Sequence, residues 1–233
     1  MKPFGINNLG NTCYFNALFQ ALISADKFVE YMIKYGKSNS LMRLLMLNFN
    51  YQYYEWLIRK CVKTIGSQED SDEYFLKLID NFPAEVQRLF KITTKIELKC
   101  DSCTFADIKT ETNYQYFLIN ENVNIQETFY PCKCGGKIKS IVSIIYLPEI
   151  LYFVMQLRIQ MPEKLHFTRD NKKVTYSLVA VVIHHGSQNS GHYIAQCARE
   201  GKIYNFNDNS VTEIGKFDTL AQKRILLYQL VSE

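Results

Sequence analysis

The chain has 233 residues, 27 Lys and Arg against 23 Asp and Glu, a formal net charge of +4, and an aromatic content raised by 16 Tyr and 15 Phe. The charge is modest and no basic run is present, so nucleic acid binding is not favoured. No apolar stretch is long enough to span a bilayer and no signal peptide is visible, so no membrane association is expected.

The length suffices for a substantial core in a single domain, residues 1–233, expected to be monomeric and to need no disulfide staples. Four of the seven cysteines form two close pairs, which points to metal rather than disulfides. A reducing compartment, cytoplasmic or nuclear, follows as the default expectation.

The first informative segment is Asn8-Leu9-Gly10-Asn11-Thr12-Cys13. Tyr14, Ala17, Leu18, Ala21, Leu22 and Ala25 recur at helical spacing, so a helix is expected to begin close to Cys13. Gly10 allows a sharp turn before it, and Asn11 or Thr12 can cap it by accepting from the free amides of the first turn. Cys13 then lies where the macrodipole favours an anion, which lowers a thiol pKa. The same amides, with the side chain of Asn8, can donate to an oxyanion. A lone cysteine is more often a small buried core residue. The polar loop before this one and the imidazole downstream favour a nucleophile.

Helical spacing continues through Leu41, Leu44 and Leu45 and then Tyr54, Leu57, Ile58, Cys61 and Val62. Ser67-Gln68-Glu69-Asp70 reads as an S-x-x-D pattern opening another helix, with Tyr74, Phe75, Leu78, Ile79 and Phe82 facing inward and Pro83 closing it. From the charges alone, Glu69, Asp70, Asp72 and Glu73 read as a solvated helix start complementing the dipole.

After Lys91 the pattern changes to strands. Ile92, Thr94, Ile96 and Leu98 alternate with polar residues. Ile150 to Leu157 and Val174 to Ile183 are nearly unbroken apolar runs, as expected of strands covered on both faces. Helices first and strands afterwards indicate an α+β fold. Cys100-x-x-Cys103 follows a strand and Cys132-x-Cys134 lies in a Gly-rich turn, so four thiolates at two hairpin tips can close a structural zinc site.

Near the C-terminal end, His184 to Gly191 reads as a polar flexible loop, His192 to Cys197 as a strand, Glu200-Gly201 as a tight turn and Ile203 to Phe206 as the returning strand. A two-residue turn at Glu200-Gly201 makes His192 and Asn207 diagonal neighbours on one sheet face and sends Asp208 to the other. The register therefore selects Asn207 to orient the imidazole, and a turn longer by one residue would select Asp208. Thiol, imidazole and amide in this order are the parts of a papain-like cysteine protease.

Gly5 to Ala17, the segment Gln68 to Phe75, and Ala180 to Ala195 with Tyr204 to Val211 resemble the Cys box, acidic helix motif and His box of the ubiquitin-specific proteases. The motifs occur in the family's order and span nearly the whole chain. The resemblance implies a helical thumb (1–90), zinc-ribbon fingers with part of the palm (91–146) and an antiparallel palm (147–233). It also implies cleavage after the Gly-Gly end of ubiquitin, with ubiquitin and ubiquitinated proteins as partners.

In that reading Cys13 attacks, His192 is base and then acid, Asn207 orients it, Asn8 donates to the oxyanion, and Asp208 is a second candidate for the orienting role. Gln68, Asp70 and Glu73 match positions that hold the arginine-bearing ubiquitin tail, and Cys100, Cys103, Cys132 and Cys134 match the zinc ribbon. The departures are a short chain, short fingers, the tighter Cys-x-Cys knuckle and Glu69 where the family often has Gln or His. A protease for a ubiquitin-like modifier and a catalytically weak ubiquitin-binding module are the alternatives.

Overall fold

The computed structural model describes residues 2–46, 51–62, 66–67, 69–155, 160–169, 172–187, 190–218 and 223–232. Gln68 and the end of the expected strand at Gln156-Leu157 lie outside the described residues, as do the side chains of Leu44, Leu45 and Tyr54.

The helices come first: α1 (Cys13–Leu22), α2 (Asp26–Tyr35), α3 (Ser40–Met46), α4 (Tyr51–Cys61), α5 (Ser71–Ile79) and α6 (Ala84–Arg88). The strands β1 (Ile92–Cys100), β2 (Ala106–Asn113), β3 (Tyr116–Leu118), β4 (Ile125–Pro131) and β5 (Lys137–Tyr146) follow. The chain ends with β6 (Ile150–Met155), β7 (Lys164–Arg169), β8 (Lys172–Ser187), β9 (Ser190–Arg199), β10 (Lys202–Asn207), β11 (Ser210–Ile214) and β12 (Lys223–Ser232). The α+β expectation is met.

Two sheets form. One has the order β2-β1-β5-β4 and is antiparallel throughout. The larger has the order β11-β10-β9-β8-β12-β6-β3, with β7 also paired to β8 and β3 running parallel to β6. The period of two explains how the larger sheet is buried on both sides. Along β6, Ile150, Tyr152 and Val154 join the core beneath the helices, while Leu151, Phe153 and Met155 join a second core on the opposite face. β12 alternates the same way, with Ile225 and Leu227 on one side and Leu226 and Tyr228 on the other.

The helical layer is fixed to the sheet by aromatic packing. Phe75 of α5 stacks on Tyr152 with ring centroids 3.9 Å apart and planes 9° from parallel. Such a pair contributes about 0.5–1.5 kcal/mol beyond its buried area. At the other end of the layer, Arg199 on β9 is buried and donates to the Gln20 carbonyl of α1 at 2.7 Å and to the Ser24 hydroxyl. A cation at the last turn of α1 also complements that helix's dipole.

Two expectations need correction. α5 begins at Ser71 with Asp70 as N-cap, accepting from the Asp72 amide at 3.2 Å, so Ser67 does not open the helix. The loop before it is held elsewhere, since Gly66 N–H donates to the Gly10 carbonyl at 3.0 Å. Within the segment expected as a loop at His184 to Gly191, the described residues are instead strand, with β8 and β9 paired out to Gly186–Gly191 and Ser187–Ser190, while Gln188 and Asn189 lie outside the described residues. Gly191 permits this, because a Cβ there would lie 2.2 Å from Nε2 of His184.

Candidate active site

Cys13 is the first residue of α1. The loop before it is shaped by left-handed backbone at Gly10 (φ 104°) and Asn11 (φ 56°). Neither expected cap forms. Thr12 makes no side-chain cap; its hydroxyl accepts from Leu9 N–H at 3.0 Å, and Asn11 Nδ2 donates to the Gly66 carbonyl at 2.7 Å. Asn8 organises the loop in their place. Its Oδ1 accepts from Gly10 N–H at 3.0 Å and Thr12 N–H at 3.2 Å. That fixes the amide so that Nδ2 points away from the loop, where it donates to Asp208 Oδ2 at 3.0 Å. One of the two Nδ2 hydrogens stays available for an oxyanion.

The thiol itself is buried, at 3% exposure. Burial pushes its pKa up and outweighs the backbone amides of Tyr193, Tyr14 and Cys13, which pull it down; the Asp208 charge adds to the upward shift. The helix terminus therefore acts in the expected direction without prevailing. The physical reason is desolvation of the charged form.

The opposite wall is built by the β9–β10 hairpin. Glu200 and Gly201 both have positive φ, 50° and 78°, as a two-residue type I′ turn requires. Arg199 pairs with Lys202, and the register runs on to Ala195–Phe206. It brings Asn207 Oδ1 to 2.7 Å from His192 Nε2. An amide oxygen accepts only, so Nε2 carries the proton and Nδ1 keeps its lone pair. Of the two orienting candidates, Asn207 thus makes the hydrogen bond to the ring. Asp208 Oδ2 lies 3.9 Å from the same nitrogen.

Asp208 instead ties the two walls together. Its backbone is left-handed (φ 50°), its carbonyl accepts from Ile6 N–H at 2.9 Å, and its carboxylate accepts from Asn8 and from Asn16 Nδ2 at 2.7 Å. Asn16 was not singled out from the sequence. The available signal was a buried amide one turn after Cys13 in an otherwise apolar stretch, Cys-Tyr-Phe-Asn-Ala-Leu-Phe.

The remaining expected residues fall in two other places. Asp70 is engaged as the α5 cap and Glu73 is exposed in the first turn, so both suit the dipole, but Asp72 is buried, and the solvated helix start that the charges alone suggested holds only in part. Cys100, Cys103, Cys132 and Cys134 converge at the tips of the β1–β2 and β4–β5 hairpins, with all four sulfurs within 4.8 Å of one another. Cys100 and Cys134 are 3.5 Å apart, and Cys103 and Cys132 are 3.9 Å apart. A tetrahedral zinc with bonds of about 2.3 Å requires sulfur–sulfur edges of roughly 3.8 Å, so the cluster fits such an ion. Amides of Ser102 and Gly136 already point at Cys100 and Cys134 sulfur at 3.4 Å each.

The profile of the ubiquitin carboxyl-terminal hydrolase family matches residues 4–228. Two curated proteins named ubiquitin carboxyl-terminal hydrolase 26 are similar to the chain. The one from Arabidopsis thaliana is 24% identical, over 92% of this chain and 26% of its own length. The one from Oryza sativa subsp. japonica is 23% identical, over 91% of this chain and 26% of its own length. The chain thus spans about a quarter of these relatives. Among solved structures, Ubp8 in the SAGA Ubp8/Sgf11/Sus1/Sgf73 DUB module bound to ubiquitin aldehyde has the same fold, with a TM-score of 0.76 at 18% identity over 99% of this chain and 70% of that one.

Proposed function

This chain belongs to the ubiquitin carboxyl-terminal hydrolase family, and on that premise we propose that it is a thiol-dependent deubiquitinase, hydrolysing the (iso)peptide bond after the C-terminal Gly-Gly of ubiquitin. The observation that carries the reading is the 2.7 Å bond from His192 to Asn207, made on a strand whose next residue, Tyr193, sends its backbone N–H to the Cys13 sulfur. A base with a fixed tautomer beside a nucleophile is the arrangement that acyl transfer needs.

The chemistry follows from these atoms. His192 Nδ1 takes the Cys13 proton as sulfur attacks the terminal glycine carbonyl. The developing oxyanion is met by the second Asn8 Nδ2 hydrogen and the amide at the start of α1. His192 then gives its proton to the leaving lysine amine, and the carbon–nitrogen bond breaks to leave a thioester on Cys13. Water, deprotonated by His192, attacks the thioester and releases the ubiquitin carboxylate and the thiol. Asp208 acts through Asn8 and is a positioning residue. Asp70 and Glu73 are proposed to hold the arginine of the ubiquitin tail, as carboxylates pair well with guanidinium.

Cys100, Cys103, Cys132 and Cys134 are proposed to hold zinc. With all four positions filled by protein, the metal supplies folding free energy by joining two hairpins, and no catalysis. The free cysteines are consistent with a cytoplasmic or nuclear protein.

The test is a ubiquitin carrying a C-terminal propargyl group, together with ubiquitin 7-amido-4-methylcoumarin. The wild-type chain forms a covalent adduct through Cys13 and releases coumarin. Cys13→Ala does neither. Retained turnover in Cys13→Ala, or no adduct from folded wild-type chain, refutes the assignment.

A further inference from the structure

We propose that a polar cleft beside the candidate active site is a subsite for the acceptor side of the substrate, and that it favours acceptor lysines flanked by lysine or arginine; this rests on the deubiquitinase reading above. The cleft, about 520 Å³, is lined by Asn7 and Asn8, by Glu55 of α4, and by Asn207, Asp208 and Ser210 around the β10–β11 turn. It shares Asn8 and Asn207 with the reaction centre and so adjoins it, although Cys13 and His192 themselves do not line it. Among the described residues, none of α5 or of the loop before it lines this cleft. The cleft is therefore separate from Asp70 and Glu73, where the glycine tail is assigned. An isopeptide has two halves, and the half leaving through its lysine nitrogen needs a place of its own.

The wall chemistry says what that half carries. Two carboxylates, Glu55 and Asp208, line the cleft, and no cation does among the described residues. Asp208 accepts from two neutral amides, is largely covered and lies 3.9 Å from His192 Nε2, so Glu55 is the carboxylate that meets an incoming cation most freely. No described residue pairs with Glu55, whose side chain is exposed. The acceptor lysine brings no charge itself, because its nitrogen is an amide until the bond breaks. The complementary cations must come from residues flanking it. Each exposed pair of this kind changes affinity by roughly two- to five-fold and is screened by salt.

The experiment compares ubiquitin joined through an isopeptide to the lysine of two short fluorescent peptides, one with Arg and Lys flanks and one with Glu flanks. The 233-residue chain is used at low and high salt, with ubiquitin 7-amido-4-methylcoumarin as the substrate lacking an acceptor peptide. The expected result is a kcat/KM about two- to five-fold higher for the basic peptide at low salt, shrinking toward parity at high salt. Glu55→Gln reduces that preference and leaves coumarin release unchanged, and Glu55→Lys reverses it. Equal rates on the two peptides, a preference insensitive to salt, or a preference intact in Glu55→Lys overturns the subsite while leaving the deubiquitinase reading in place. Failure to release coumarin overturns that reading and the subsite with it.

Discussion

Separate replacement of Asn207 and Asp208 tests how two adjacent side chains divide their work. Among the described residues, the Asn207 side chain hydrogen-bonds to the imidazole alone, through the 2.7 Å bond to His192 Nε2. A hydrogen bond to a charged group contributes about 1.5–3 kcal/mol against about 0.5–1.5 for a neutral one, and the neutral ring makes the same bond, so Asn207→Ala should reduce the thiolate–imidazolium population by the difference, roughly 5- to 15-fold. Asp208 acts on both members of that pair with opposite sign. Its carboxylate lies 3.9 Å from Nε2, where it would attract the positive member of the proposed ion pair, while it also pushes the Cys13 thiol up. The two effects oppose each other, so removing the charge should leave the ion pair nearly as populated as before. Asp208→Asn is the suitable variant, because Ala would be strained at a φ of 50° and Asn tolerates it. Two assays separate the roles. Alkylation of Cys13 by iodoacetamide at neutral pH, read by peptide mass, needs the thiolate and no oxyanion hole; it should slow in Asn207→Ala and hold within about three-fold in Asp208→Asn. Ubiquitin–coumarin hydrolysis needs both and should fall in each, by about ten-fold or more in Asp208→Asn, whose single amide oxygen cannot accept from both Asn8 and Asn16 as the carboxylate does. Equal slowing of alkylation in the two variants would refute the division, and a wild-type alkylation rate in Asn207→Ala would remove Asn207 from the machinery.

His192→Ala should confine Cys13 alkylation to pH above the ordinary thiol range: burial raises the thiol pKa, a raised pKa means less thiolate at neutral pH, and the rate should drop ten-fold per unit below it; brisk alkylation at pH 7 in this variant would sink the claim. Removing zinc by chelation, or Cys100→Ser, should lower the melting temperature and strip amide protection from the β1–β2 and β4–β5 hairpin tips; an unchanged melt with no zinc found by elemental analysis would dispose of the metal. Asp70→Ala should cost about 0.5–2 kcal/mol of stability as well as raise KM, since it removes a cap, whereas Glu73→Gln should raise KM with the melting temperature unchanged; a stability loss in both would indicate a shared structural role.

How much of this was legible depends on the range over which each feature is encoded. The choice of Asn207 over Asp208 was readable because Glu200-Gly201 fixes a local register, and a period of two carries that register eight residues back to His192 and six forward to Asn207. Apolar alternation likewise marked the buried strands. The helix start at α5 was ambiguous. Ser67-x-x-Asp70 and Asp70-x-x-Glu73 are both capping patterns; the second forms, with Asp70 as cap, while the preceding loop is held by the Gly66–Gly10 bond, a contact no local pattern records. Gly, Ser and Asn between His184 and Gly191 suggested a loop; backbone pairing of the β8–β9 hairpin decided otherwise, since Gly191 is required by the close His184 ring rather than by a turn. Asn16 was missed for a related reason. Its partner Asp208 is 192 residues away, and the link forms only after the sheet and α1 have packed.

The thiol shows the same limit with a mechanistic consequence. Reading Cys13 as activated by its helix treats α1 as an amphipathic surface helix whose first turn is wet. All ten residues of α1 are buried. The sequence did hint at this, because apolar residues occur around the whole circumference of Cys-Tyr-Phe-Asn-Ala-Leu-Phe-Gln-Ala-Leu, the mark of a helix enclosed by protein. Enclosure strengthens every nearby amide and dipole, and it also removes the water that would solvate a lone thiolate. The second effect dominates here. In the proposed mechanism the imidazole therefore does what the helix alone does not: it takes the thiol proton, and the resulting positive ring stabilises the sulfur anion. On that mechanism the thiol stays protonated and poorly reactive whenever the hairpin carrying His192 and Asn207 moves off α1. The clamp of Arg199 on Gln20 and Ser24 and the Asp208 bridge from the hairpin to Asn8 and Asn16 hold the hairpin against α1, so the same mechanism makes them a condition of reactivity.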